Sequence, residues 1–109
     1  MNSRAKGCRG EREWRDFLRS NGFTARRGQQ FAGGTDAPDV ICEEMEALFH
    51  PEVKFVENLN VYKAVEQALN DCPANKLHYV AHRKKRKDWL ITMPATEWMQ
   101  LVKNFIYKK

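Results

Sequence analysis

Three charged residues in the middle of the chain, Asp39, Glu52 and Lys54, have the types and spacing needed for metal-assisted hydrolysis of a phosphodiester. Asp39 is predicted to begin one short strand and Glu52 to lie midway along the next. Antiparallel pairing through the turn between them would bring both carboxylates to one end of the sheet. Two carboxylates suit Mg²⁺, which binds oxygen ligands and usually keeps water and substrate phosphate in its remaining positions. Lys54 lies on the same strand face as Glu52, about 6.6 Å further along, where an ammonium can orient an attacking water.

Glu11 is a further candidate because it lies on the apolar side of the predicted first helix, an uncommon place for a carboxylate. The helical spacing of Trp14, Phe17 and Leu18 defines that side, and it reaches Glu11 one turn earlier. Gly10 beside it would let another backbone segment approach closely. A carboxylate favoured by the helix dipole is the alternative interpretation of Glu11.

The central residues can also be interpreted as having ordinary structural roles. Asp39 follows Pro38 and is compatible with a turn. Glu52 and Lys54 are compatible with an exposed strand face on which Lys54 pairs with another acid.

The elements that must position these residues are predicted in the order α-β-β-β-α-β-β-α. Hydrophobic periodicity predicts helices at residues 7–21 and 61–72 and a last helix that Pro94 opens. Strands are predicted at residues 23–26, 39–42, 48–56, 77–82 and 88–93, with a glycine-bearing loop at residues 28–37. This order indicates an α/β or α+β sheet layered with helices, in one domain spanning residues 1–109.

The net charge of +5 conceals an arrangement of basic ends around an acidic middle. Residues 1–27 carry 8 basic and 3 acidic groups, residues 28–79 carry 3 and 9, and residues 80–109 carry 8 and 2. This pattern argues against a uniformly cationic DNA-coating protein and against a membrane-surface helix. No apolar run is long enough to span a membrane, and the charged first twenty residues do not form a secretion signal. We therefore expect a cytoplasmic protein that attracts a polyanion at its ends and a cation at its centre.

The ordered motifs resemble a known group of nucleases. Pro38-Asp39 followed by Glu52-Val53-Lys54 matches the signature of the PD-(D/E)XK nuclease superfamily. Residues 7–13 look like the first-helix motif of archaeal-type Holliday junction resolvases. Residues 25–30, 33–39 and 57–67, and the basic segment that ends at Trp89, resemble small phage-encoded endonucleases of the same kind.

The resemblance implies a restriction-endonuclease-like mixed sheet flanked by helices, in phage or in a prokaryotic cytosol. It implies that Asp39 and Glu52 bind Mg²⁺, that the carbonyl of Val53 completes the site, and that Mn²⁺ substitutes for Mg²⁺. Lys54 would be the catalytic lysine, and Glu11 would bind or support the metal.

Two more residues are implied near this site, and one residue departs from the pattern. Gln67 would face the site from its helix, although a solvated position is its ordinary role. His50 shares a strand face with Glu52, although strand histidines are usually structural. Pro51 precedes Glu52 where the superfamily usually has an apolar residue, and proline cannot donate to a sheet ladder. The strand must therefore have an edge or bulge there, or begin at Glu52.

The basic residues are expected to contact DNA phosphates, with a solvated loop as the alternative for the run at residues 83–87. The candidate phosphate contacts are Arg26, Arg27, Arg83, Lys84, Lys85, Arg86 and Lys87. No nucleotide cofactor is expected, because Gly33-Gly34 is not followed by the lysine of a phosphate-binding loop.

The leading hypothesis is a metal-dependent DNA endonuclease acting on branched or junction DNA. The alternatives are a non-catalytic DNA-binding module on the same fold, and a protein whose basic loop binds an acidic partner. Because a junction needs two symmetric cuts, the hypothesis implies a homodimer. The apolar end with Trp98, Phe105 and Tyr107 is compatible with an interface or with ordinary core.

Overall fold

The eight elements occur in the predicted order, α-β-β-β-α-β-β-α. A computed structural model describes residues 3–28 and 39–108. The elements are α1 (Ser3–Ser20), β1 (Ala25–Arg27), β2 (Val40–Cys42), β3 (Phe49–Phe55), α2 (Val61–Asp71), β4 (Leu77–Arg83), β5 (Leu90–Thr92) and α3 (Ala95–Tyr107). The loop predicted at residues 28–37 lies, apart from residue 28, outside the described residues, and so does Pro38.

The strands form two small sheets. In the first, β1 and β2 are antiparallel, with Ala25 opposite Cys42. In the second, β3 is parallel to β4, and β4 is antiparallel to β5. The predicted antiparallel pairing of β2 with β3 was therefore wrong. A strand of three residues makes few ladder bonds, so its sequence does not determine which neighbour it pairs with.

Helix α1 covers one face of the second sheet. Trp14 and Leu18 are buried in one cluster with Val53 and Tyr79. Gly10 is required for this close packing, because a Cβ atom there would lie 2.9 Å from the Cβ of Phe55. The predicted close approach of backbone beside Glu11 is confirmed.

Helix α2 covers the opposite face. Ala64 and Ala68 are buried against Val80 of β4, and their small side chains let the helix lie close to the strands. The side chain of Asn60 caps the helix, accepting the Lys63 N–H at 3.1 Å. The second sheet is thus covered on both faces, so charged residues of β3 are drawn into the interior.

Helix α3 begins after Pro94, as predicted, but none of its described residues is buried. Phe105 is 87% exposed, and Trp98, Ile106 and Tyr107 are also exposed. Its first turn is tied to β4 by Glu97, which accepts the His78 N–H at 2.8 Å. That N–H lies on the edge of β4 that faces β5, beyond the last β5 pair at Val80. A carboxylate therefore takes the place of the missing strand partner.

No helix among the described residues is long and apolar enough to cross a membrane.

Candidate active site

The alternation of β3 places Glu52 and Lys54 on the face covered by α2, and Val53 and Phe55 on the face covered by α1. Glu52 is 5% exposed. The alternative of an exposed strand face is therefore wrong for Glu52, since a carboxylate is seldom buried without a specific partner.

Pro51 lies inside β3 without costing a bond to β4. The Val56 N–H donates to Arg83 and the Leu77 N–H to Leu48, so even-numbered residues of β3 face β4. The odd-numbered Pro51 and Val53 consequently face the other edge. The edge explanation for Pro51 is confirmed, and the missing N–H falls where no ladder bond is needed.

Asp39 connects the two sheets at that free edge. Its Oδ2 accepts the Val53 N–H at 2.8 Å. Burial raises the pKa of Asp39 to about 6, against the lowering effect of the Val53 hydrogen bond. The carbonyl of Val53 leaves the strand on the same edge as its N–H, and so lies on the side of Asp39.

Glu52 is close enough to Asp39 for the two carboxylates to repel one another. Burial raises the pKa of Glu52 to about 7, and the negative charge of Asp39 is the next largest cause. The two carboxylates therefore lie near enough to interact, and the strand pairing that places them differs from the predicted one.

Lys54 lies against the pair. Its Nζ is 3.5 Å from Glu52 Oε2 and donates to Gln67 Oε1 at 3.0 Å. The predicted orientation of Gln67 toward the site is thus observed, and the amide holds the ammonium between the strand and α2.

Glu11 is buried, as predicted, but its direct partner is Arg27. The Arg27 Nη2 donates to Glu11 Oε1 at 3.1 Å and to Cys8 Sγ at the same distance. Glu11 still acts on the site electrostatically, since its charge contributes to the raised pKa of Asp39.

His50 is buried on the Glu52 face, nearer the end of α2. Burial lowers the pKa of its imidazole, and the charge of Lys76 adds to this effect while Asp71 opposes it. Asp71, the last residue of α2, was missed by sequence reasoning. Its charge contributes to the raised pKa of both Asp39 and Glu52. Polar residues are common at helix ends, so the sequence does not indicate that Asp71 lies near the site.

The donor set fits a hard divalent cation. The buried Glu52 and the half-buried Asp39 both have raised pKa values, Lys54 is the cation that acts on both of them in the described part of the chain, and a peptide carbonyl adjoins them. Mg²⁺ typically uses one or two carboxylates and completes its shell with water and phosphate oxygens. In the described part of the chain, no three His, Cys, Asp or Glu side chains converge to hold a metal ion.

The predicted phosphate contacts divide into two groups. Lys84, Lys85, Arg86 and Lys87 are exposed at the tip of the β4–β5 hairpin, and Arg26 is exposed beside Glu43. Arg27 is engaged by Glu11, and Arg83 donates to Glu13 Oε1 at 3.0 Å.

Arg83 is also stacked against aromatic rings, above Phe55 and near Trp89. Its partner Glu13 additionally binds Arg9 at 2.8 Å. Of these two ion pairs, only that of Arg9 with Glu13 is predictable from the sequence, because its members are four residues apart on one helix.

Comparison with known proteins agrees with this geometry. The family model described as archaeal Holliday junction resolvase (Hjc) matches residues 2–107. Among solved structures, the chain is similar to Hjc of Archaeoglobus fulgidus, a Holliday junction resolvase from an archaeal hyperthermophile. The TM-score is 0.58 at 27% sequence identity, over 81% of this chain and 72% of that one. Comparison with curated proteins gives no match. The predicted resemblance and the predicted fold class are confirmed.

Proposed function

This chain belongs to the archaeal Holliday junction resolvase family, and from that premise we propose that it is a metal-dependent endonuclease of branched DNA. Asp39, Glu52 and Lys54 would form its active site. The observation that carries the proposal is the pair of mutually repelling carboxylates, one buried and one half-buried, with an ammonium 3.5 Å from Glu52. Such a pair needs a cation, and a phosphodiester backbone needs the same cation before it can approach an acidic site.

Asp39, Glu52 and the Val53 carbonyl would hold Mg²⁺, with Mn²⁺ as a substitute because it accepts the same oxygen ligands. When bound, the cation would supply Lewis-acid polarisation of a phosphoryl oxygen. Glu11 supports the site through its charge on Asp39 and by fixing Arg27 beside it.

Lys54 supplies the remaining positive charge. Held by Gln67, its ammonium is placed to orient the attacking water and to stabilise the negative charge that develops on the phosphoryl oxygens. His50 is buried on the same face near the start of β3 and would have a structural role.

DNA would approach along the hairpin tip, where Lys84 to Lys87 extend from the body of the protein. Arg26 adds a cation on the first sheet. Arg27 and Arg83 contribute less to binding, because each is neutralised by a glutamate.

We also infer a homodimer formed through α3. Two symmetric cuts require two active sites, and a two-fold axis matches the symmetry of a junction. Phe105, Ile106 and Tyr107 offer a large apolar surface of the kind that a monomer rarely exposes.

The test is cleavage of a synthetic four-way junction in Mg²⁺, in EDTA and by Asp39→Asn. We expect paired symmetric cuts in Mg²⁺, no cutting in EDTA, and a loss of about 10²- to 10³-fold or more for the variant, the scale of losing one group that stabilises a transition state. The matched control is Glu46→Gln, which removes an exposed carboxylate and leaves cleavage unchanged.

Cleavage that survives EDTA or Asp39→Asn would contradict the metal assignment. Junction binding without products would favour the non-catalytic module instead. Pro51 does not support that alternative, because its nitrogen faces the free edge of β3 and leaves the ladder to β4 intact.

A further inference from the structure

A groove of about 380 Å³ lies between the start of α2 and the β4–β5 hairpin. Its lining is mostly apolar and includes Val56, Leu59, Val61 and Leu90, with Lys84 and Lys87 contributed by the hairpin. We call it the hairpin groove. Its volume falls within the range of about 300 to 1,000 Å³ found for sites that hold small organic ligands.

The hairpin groove adjoins the carboxylate site on the same face of the sheet. Val56 is the first residue after β3, and its N–H still donates to Arg83 of β4, so it continues the strand on the side of Lys54, about 6.6 Å further along. His82, which also lines the groove, is the β4 partner of Lys54. A ligand in the groove would therefore lie directly beside a phosphate held at Lys54.

The lining suits a flat apolar group that is attached to negative charge. Leu90 is 60% exposed, and Val61, the first residue of α2, is 36% exposed. Both offer apolar surface to a planar ring, and burial of the ring against apolar surface does not depend on which base it belongs to. Lys84 and Lys87 are exposed at the same groove and suit the adjoining phosphate.

Two acidic residues refine this picture. Glu57 and Asp88 also line the groove, so the phosphate must pass on the side of the lysines. Their carboxylates are acceptors of the kind that bind the amino groups of bases. The mixture of apolar floor, acceptors and cations fits a nucleotide better than a lipid or a purely acidic peptide.

We propose that the hairpin groove binds one unpaired nucleobase of the DNA, next to the phosphodiester that is cut. This inference rests on the proposed function and specifies a structural feature of its substrate. A base inside a duplex must be unstacked before it can enter, which costs a few kcal/mol, and the cost is smallest for a base that is already unpaired. The enzyme is therefore expected to prefer junctions with an unpaired nucleotide at the branch point.

The test compares three junctions in EDTA by fluorescence anisotropy. One is fully paired, one has an unpaired nucleotide at the branch point, and one has an abasic sugar in that place. We expect the unpaired nucleotide to tighten binding about fivefold or more, the scale of burying about 40 Å² of apolar surface. The abasic sugar keeps the flexible backbone without the base, so it should bind no tighter than the paired junction.

The variants Leu90→Gln and Val61→Gln should each reduce the preference and leave binding of the paired junction unchanged. Both side chains are exposed, so folding is preserved, and thermal melting followed by circular dichroism verifies it. The matched control is Leu69→Gln, a 55% exposed apolar position of α2 outside the groove, which should keep the full preference.

Equal binding of the abasic and unpaired junctions, or a full preference in Leu90→Gln, would overturn the groove assignment. Because binding is measured without metal, the result is independent of cleavage. A preference without cleavage in Mg²⁺ would contradict only the proposed function, and cleavage without a preference would contradict only the groove.

Discussion

The carboxylate site under α2 and the exposed helix α3 are both incomplete, but in opposite ways. At the site, the buried Glu52 and the half-buried Asp39 repel each other, and Lys54 offsets only part of that repulsion, so the region is short of positive charge. At α3, large apolar side chains are exposed and none is buried, so that region lacks an apolar partner.

The difference indicates what each region should bind. Buried like charges are relieved by a cation and hardly at all by apolar contact. Exposed aromatic and aliphatic side chains are relieved by burial against another apolar surface. One molecule therefore has a site for a metal and a surface for a second protomer, and changes to one region should leave the other unaffected.

The largest effect is expected when the apolar surface of α3 is removed. In Phe105→Ser with Ile106→Ser, dimerisation should lose about 3 to 6 kcal/mol for each of the two protomers, since burying each such side chain contributes about 1.5 to 3 kcal/mol. The dissociation constant should thus rise at least 100-fold in sedimentation equilibrium. Leu69→Ser, an exposed apolar position on α2, is the control and should associate normally. Unchanged association of the double variant would break the comparison.

A smaller effect is expected from removing charge at the site. The folded pKa values of about 6 for Asp39 and about 7 for Glu52 exceed their ordinary values of 3.8 and 4.5. The two carboxyls therefore stabilise the fold fully below about pH 4, and that stability is lost as the pH rises through 6 and 7.

Asp39→Asn should consequently raise the free energy of unfolding of the metal-free protein at pH 8 by about 1 to 3 kcal/mol, and leave it unchanged near pH 4. Urea titrations at the two pH values measure this difference. Added Mg²⁺ should stabilise the natural protein more than the variant. Glu46→Gln should show neither effect, and a pH-independent gain in Asp39→Asn would show that relief of the buried charge is not its cause.

The smallest effect is expected at Pro51, whose nitrogen lies on the free edge of β3 beside the site. Pro51→Ala should cost only about 0.4 to 1 kcal/mol, because it adds freedom to the unfolded chain and breaks no ladder bond. The comparison is His50→Pro, one residue earlier, where the N–H faces β4 and the loss should reach about 3 kcal/mol or more. Similar urea midpoints for the two variants would show that the edges of β3 are assigned incorrectly.

Much of this arrangement is predictable from the sequence. The stripe of α2, its end before Pro73 and the hairpin around the basic run all follow from local patterns, and each is observed. The proximity of Asp39 to Glu52 was predictable, but the strand pairing that produces it was not. Strand β2 has only three residues, and nothing in them selects β1 over β3.

The ion pairs of the site were not predictable. Glu11 and Arg27 are 16 residues apart, and Glu13 and Arg83 are 70 apart. Such pairs depend on how α1 packs across the sheet, which is determined by the close approach at Gly10 and by the buried aromatic cluster. Charge in the sequence shows which groups are available, and only packing decides which of them are neutralised.

The bond between Arg83 and Glu13 has a consequence for the thermodynamics of DNA binding. Each protein cation that contacts a phosphate releases condensed counterions, which steepens the dependence of log K on log salt by about 0.9 per contact. With Arg83 neutralised inside the protein, the hairpin contributes four cations. The expected slope of log K against log salt is then about −3.6 per protomer, whereas five cations would give about −4.5. Glu13→Gln should move the measured slope toward the steeper value. A glutamate on the first helix thereby determines how many salt ions the distant hairpin displaces, and with them the entropy gained when DNA binds.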